Sequence, residues 1–123
     1  MRVLLSIKPE FAEKILNGTK RYEFRKQGFS KPVDTVVLYA TKPVGKIVGE
    51  FKLKTVHADV PEQIWRLTEK FAGINKLFFD AYFQNRGKAY ALEVERAVRY
   101  AEPVEPKEFM ADFTAPQSYR YIP

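Results

Sequence analysis

The chain has 123 residues, 46% hydrophobic and 15% aromatic, which suits a single domain over residues 1–123 with a dense core and excludes a disordered chain. It has no cysteine and one histidine, His57, so disulfides, thiol nucleophiles and thiolate metal sites are excluded and zinc is short of its usual ligands. A net charge of +6 favours a polyanionic partner, beside the plainer reading of a solvated basic surface.

No resident metal or cofactor is expected, and magnesium would arrive only with a phosphate substrate. No run approaches the ~20 apolar residues of a membrane span, and the opening MRVLLSIKPE is charged too soon for a signal peptide. A cytoplasmic protein with no membrane partner is the expectation.

In chain order, RVLLSI over residues 2–7 reads as a strand, with Val3, Leu5 and Ile7 on one face and Leu4 and Ser6 on the other. Pro9 opens a helix. Glu10 and Glu13 oppose its dipole, Phe11, Ala12, Ile15 and Leu16 form an apolar stripe, and Asn17-Gly18 ends it. From Lys20 the period becomes two, with Tyr22 and Phe24 on one face and Arg21, Glu23 and Arg25 on the other, as in a half-buried strand with a charged side. The breaker-rich QGFSKPVD leads to a buried strand TVVLYA. Pro43 to Gly45 then turn the chain into the long strand KIVGEFKLKTV, where Gly49 marks a bulge or a close backbone approach.

Pro61 starts a second helix with Ile64, Trp65, Thr68, Phe71 and Ala72 near one side and Gly73 at its close. Asn75 caps a third. Its run LFFDAYFQN is apolar almost all round, so this helix is either wedged between layers or partly reserved for a protein partner. Helical aromatics such as Trp65, Phe78, Phe79, Tyr82 and Phe83 belong to the core by default. A turn at Gly87 feeds the strand AYALEVERAVRY, in which Tyr90, Leu92, Val94 and Val98 alternate with Glu93, Glu95 and Arg99. The tail is proline-rich, contains a possible helical turn in PKEFMADF, and ends in APQSYRYIP. Strands interleaved with short helices, without a βαβ repeat, indicate an α+β domain built on a small mixed sheet or partly closed barrel.

Two common site types are absent. No serine sits in a G-x-S-x-G elbow, and TKPVGKIVG is not a phosphate loop because Ala40 stands where its first glycine would be. His57 reads as structural or exposed.

A strand, the helix PEFAEKILNG and then G-x-K-x-x-E-x-R, as Gly18, Lys20, Glu23 and Arg25, resembles the signature of the ASCH domains of the PUA-like superfamily. The likeness extends through LLSIKPEFAEKILNGTKRYEFRK, the IVGEF strand and the late helix before KAYALEV, and so covers most of the chain. It implies a mixed β-barrel of about five or six strands with two or three flanking helices, and a cleft beside the first helix suited to RNA or a nucleoside. Small prokaryotic members are described as transcriptional regulators. Other members are enzymes, an N4-acetylcytidine amidohydrolase and a ribonuclease among them.

Lys20 matches the lysine that the amidohydrolase members use in catalysis, but Glu23 falls where they carry a threonine nucleophile. A carboxylate attacking there would form an anhydride rather than an ester, which leaves Glu23 only the role of a base toward water. Their further catalytic carboxylate corresponds to Glu62 or Glu69.

The leading expectation is therefore a binding module for RNA or a modified nucleoside, with DNA as a further partner. The alternative is a nucleic-acid-processing enzyme, either an amidohydrolase on acylated cytidine or a ribonuclease, using Lys20 and Glu23. Candidate nucleic-acid contacts are Lys8, Lys20, Glu23, Arg25, Gln117, Ser118, Tyr119 and Arg120. Against them stand plainer readings: a charged strand face for Lys20, Glu23 and Arg25, a solvated lysine for Lys8, and a barrel-closing strand for the tail.

Overall fold

The computed structural model covers Met1–Pro123. Its strands are β1 (Arg2–Ile7), β2 (Tyr22–Arg25), β3 (Thr35–Ala40), β4 (Lys46–Asp59), β5 (Ala89–Val104) and β6 (Tyr119–Ile122). They form one curled sheet in the order β2-β5-β4-β3-β1-β6. Only β1 and β3 pair in parallel. The helices are α1 (Pro9–Leu16), α2 (Pro61–Thr68), α3 (Lys76–Tyr82) and the single turn α4 (Pro106–Phe109). This is the expected mixed α+β half-barrel with three flanking helices, and α4 is the helical turn expected in PKEFMADF. None of its helices is long and apolar enough to cross a membrane.

The two faces of β1 separate as the period of two requires, but both are buried. Val3, Leu5 and Ile7 join Val36, Leu38, Phe51 and Leu92 in one core, closed by Ala12 and Ile15 of α1. Leu4 packs with Val37, Ile47 and Ile122 on the other face. The tail covers that second face: Phe113 lies 5.0 Å from Tyr39, and Phe109 and Met110 pack beside it.

A third cluster holds α2 and α3 against β2 and β5 through Ile64, Phe79, Phe83, Phe24 and Ala91. Asn75 caps α3 as expected, its side-chain oxygen accepting from the Phe78 N–H at 2.8 Å.

Gly49 answers to both of its readings. The pairing shifts register beside it, and a Cβ there would stand 2.5 Å from the Val98 carbonyl and 2.8 Å from Leu16.

The expected alternation along β5 fails midway. Leu92 and Val94 pack against the first core, but the next inward residue is Ala97, and Val98 is 49% exposed. Leu53 pairs with Val94 while Lys52 pairs with Arg96, so Glu95 is an extra residue. A one-residue bulge exchanges the faces of everything after it.

Candidate functional site

The site begins at the turn after α1. Gly18, at φ +87, lets the helix end, and Asn17 accepts the Thr19 N–H at 3.0 Å. The Lys20 N–H then bonds the Lys14 carbonyl at 3.0 Å, and the lysine side chain runs inward under Gly73, only 1% exposed. Its ammonium donates to the Ala72 carbonyl at 2.6 Å and lies 3.7 Å from Glu23 Oε1. The rings of Phe24 and Phe11 stand 4.8 and 5.3 Å from it. Burial lowers its pKa to about 8, against the opposing pull of the Glu23 carboxylate.

Glu23, 5% exposed, is clamped by Arg25, whose Nη2 and Nε donate to Oε2 at 2.7 and 3.2 Å. The same guanidinium donates to the Ser6 carbonyl at 2.9 Å and to Ser118 Oγ at 3.3 Å. Of the charged side expected for β2, Glu23 and Arg25 are drawn in and join the buried Lys20, whereas Arg21 is exposed. The reason is tertiary: the chain after α2 lies over Lys20, with Ala72 O taking its ammonium and Gly73 against its stem.

Lys20, Glu23 and Arg25 form the polar floor of a cavity of about 200 Å³ that opens to solvent. Its walls are apolar: Phe24, Phe11 of α1, and Phe78 and Tyr82 of α3, with Ile74 between. Phe11 and Phe78 meet edge to face at 5.6 Å, and Lys8 stands at the mouth, 5.6 Å from the Phe78 ring. Burial raises the pKa of the Tyr82 phenol.

The structure therefore brings Lys8, Lys20, Glu23 and Arg25 to one pocket, and from the tail only Ser118 reaches them. Gln117 is exposed, and Tyr119 packs on Phe29 at 4.8 Å. Arg120 pairs with Leu4, on the sheet face opposite that of Tyr119. These three do not line the cavity. Nor do Glu62, which pairs with Arg66 at 3.4 Å, and the exposed Glu69. His57 bonds Glu93 at 2.7 Å, away from the pocket.

Phe11, Phe78 and Tyr82 are wall residues that sequence reasoning assigned to an apolar stripe or the core. The signal that could have found them is the apolar girdle of α3, which has more aromatic surface than one core contact uses: Phe79 and Phe83 are buried, while Phe78 is 40% exposed.

A family model described as "ASCH domain" matches residues 5–108. The chain is 28% identical over 126 residues to an "ASCH domain-containing ribonuclease" from Zymomonas mobilis subsp. mobilis, covering 97% of this chain and 82% of that protein. It is 31% identical over 121 residues to the large ribosomal subunit protein uL22 of Ureaplasma parvum serovar 3, covering 98% of this chain but 39% of that protein. The same share of this chain is 26% identical to 15% of the ATP synthase subunit alpha of that organism. The chain thus spans about two fifths or less of the Ureaplasma proteins it matches.

Among solved structures, that of ASCH from Zymomonas mobilis superposes with a TM-score of 0.91 at 26% identity, over 99% of this chain and 87% of that one. A mutant form of ZmASCH superposes equally at 25% identity, over 99% and 90%.

Proposed function

We propose that this chain, which belongs to the ASCH domain family, binds single-stranded RNA by taking one base, or a modified nucleoside, into the pocket over Lys20, Glu23 and Arg25. The observation that carries this reading is a charged floor beneath aromatic walls. Single-stranded RNA is read by stacking unpaired bases on aromatic rings and bonding their edges.

Phe11, Phe78 and Tyr82 supply ring surface. Glu23 Oε2 is held by Arg25, whereas Oε1 has no partner nearer than the Lys20 ammonium at 3.7 Å and is left to accept from an exocyclic amine. Lys20 keeps protons beyond the one given to Ala72 and can donate to the neighbouring ring nitrogen or carbonyl. Lys8 at the mouth suits a phosphate. A DNA strand offers the same bases and phosphates and is the natural comparison.

Fluorescence anisotropy with a labelled single-stranded RNA tests the reading. Binding is expected to weaken with salt and to fall at least tenfold in Arg25→Ala. Equal affinity of that variant and the wild type would overturn it.

Two observations favour a second reading, ribonuclease activity: the relative so named matches this chain nearly end to end, and Lys20 is a buried amine with a pKa near 8. In that case Glu23 Oε1 takes the proton of the 2′-hydroxyl, the 2′-oxygen of the bound nucleotide attacks phosphorus, the bond to the 5′-oxygen breaks, and the Lys20 ammonium protonates the leaving oxygen. Incubation with single-stranded and structured RNA decides between them. Products ending in a cyclic phosphate, lost in Lys20→Met, establish the enzyme; intact RNA at high protein concentration leaves a binder.

Deacylation of an acylated cytidine is disfavoured by the floor itself. The position of a nucleophilic hydroxyl is filled by the clamped Glu23, and the Ser6 hydroxyl is spent on the Pro116 carbonyl at 2.7 Å.

A further inference from the structure

The sheet does not close: β2 and β6 are its two edges and share no ladder. The seam between them is filled by the loop that follows β2. Ser30 and Lys31 donate their N–H groups to the Tyr121 hydroxyl at 2.9 and 3.2 Å, and the Tyr119 hydroxyl donates to the Gly28 carbonyl at 3.4 Å. Gly28 lies against Tyr90 so closely that a Cβ there would stand 3.0 Å from the ring. The loop is pinned by three tyrosines and is a firm surface.

Charge is one-sided along this surface. Residues 24–33, FRKQGFSKPV, and 81–90, AYFQNRGKAY, together contain Arg25, Lys26, Lys31, Arg86 and Lys88 and no Asp or Glu. Lys26, Lys31, Arg86 and Lys88 are exposed, and none of them is in an ion pair. Elsewhere unpaired cations such as Lys42, Lys70 and Arg96 are interspersed with cations that have acidic partners, as Lys46, Lys52, Lys54, Lys76 and Arg99 do.

The free lysines instead rest on rings: Lys26 is 4.8 Å from Tyr82, Lys31 5.0 Å from Tyr121 and Lys88 6.0 Å from Tyr90. Tyr82 is also a wall of the pocket, so the strip starts at the pocket mouth.

We propose that this seam is the track of the RNA strand beyond the pocket nucleotide, with phosphates on Lys26, Lys31 and Lys88 and bases on the tyrosine rings those lysines now cover. The proposal rests on the reading of the pocket as an RNA site. These rings are half-buried, and a lysine over the open part of a ring is displaced at little cost, because the base that takes the ring brings a phosphate for the ammonium. An acidic peptide would satisfy the charges but leave the rings unused.

The test compares single-stranded oligo(A), oligo(C) and oligo(U) as trinucleotides and nonanucleotides, on wild type and on a Lys31→Glu/Lys88→Glu variant that leaves the pocket lining intact. Wild type is expected to bind the nonanucleotide at least tenfold tighter than the trinucleotide. In the variant that advantage is lost, trinucleotide affinity stays within about twofold, and the salt slope becomes shallower by more than one, since each phosphate contact contributes about 0.7.

Unchanged nonanucleotide affinity and slope in the variant would overturn the track, as would competition by polyglutamate equal to that by RNA. The pocket reading survives either result provided Arg25→Ala still loses the trinucleotide. If wild type binds no oligonucleotide of either length at low salt, the pocket reading fails and the track fails with it.

Discussion

Arg25 of the edge strand β2 and Ser118, the residue before the opposite edge strand β6, are joined across the seam, guanidinium to hydroxyl, at 3.3 Å. The same guanidinium holds Glu23 and the Ser6 carbonyl, so one side chain both shapes the pocket floor and fastens the open barrel.

Arg25→Ala is therefore expected to cost about 2 to 4 kcal/mol in urea unfolding. It strands a buried carboxylate with only Lys20 for company. Arg25→Lys recovers charge without the fork and should regain less than half of that loss. If the two partners act as one unit, the double variant Glu23→Gln/Arg25→Met costs clearly less than the two single changes added together.

Gly73 presses on the stem of Lys20. It sits at φ +71, and a Cβ there would lie 2.5 to 2.7 Å from Lys20 Cγ, Cβ and Cδ. Gly73→Ala thus combines left-handed strain with a clash and should destabilise by more than about 2 kcal/mol. Gly18→Ala, with φ +87 and open space around it, carries the strain alone, about 1 to 2 kcal/mol. Paired denaturation curves check the order.

The lowered pKa of Lys20 makes stability and binding move in opposite directions with pH. The folded protein releases this proton near pH 8 and the unfolded chain near 10.5, so between those values the unfolded state binds more protons and stability rises. The rise from this group is about 2 to 3 kcal/mol, and it should be missing in Lys20→Met. Burial raises the phenol pKa of Tyr22 and Tyr82, which works the other way above pH 10, so urea midpoints from pH 7 to 10 give the cleanest comparison. RNA affinity should fall over the same interval as the pocket loses its cation.

Phe78 and Phe79 are neighbours on α3 with separate duties. Phe78→Ala should change stability by under about 1 kcal/mol yet weaken RNA binding by roughly 1 to 3 kcal/mol, the worth of one stacked base. Phe79→Ala, in a fully buried position, should cost about 3 to 5 kcal/mol of stability. Measuring both quantities on both variants separates wall from core.

Much of this was legible in the chain because it is local. Pro9, the stripe from Phe11 to Leu16 and Gly18 define α1 without help from the rest of the molecule, and Asn75 marks the start of α3. The burial of Lys20 and Glu23 was not legible, because it depends on a segment some fifty residues away laying Ala72 and Gly73 over them. The phase of Val98 was lost to a bulge that no residue type announces. Tyr119 and Arg120 were grouped in one site, although the strand period alone places adjacent residues on opposite faces.

The most direct test of the pocket as the RNA site is a crystal structure of the protein with a short single-stranded RNA. The account requires a base against Phe11 and Phe78 with a polar edge within hydrogen-bond distance of Glu23 Oε1 or Lys20 Nζ. RNA bound only on the outer surface, with the pocket empty, would contradict it.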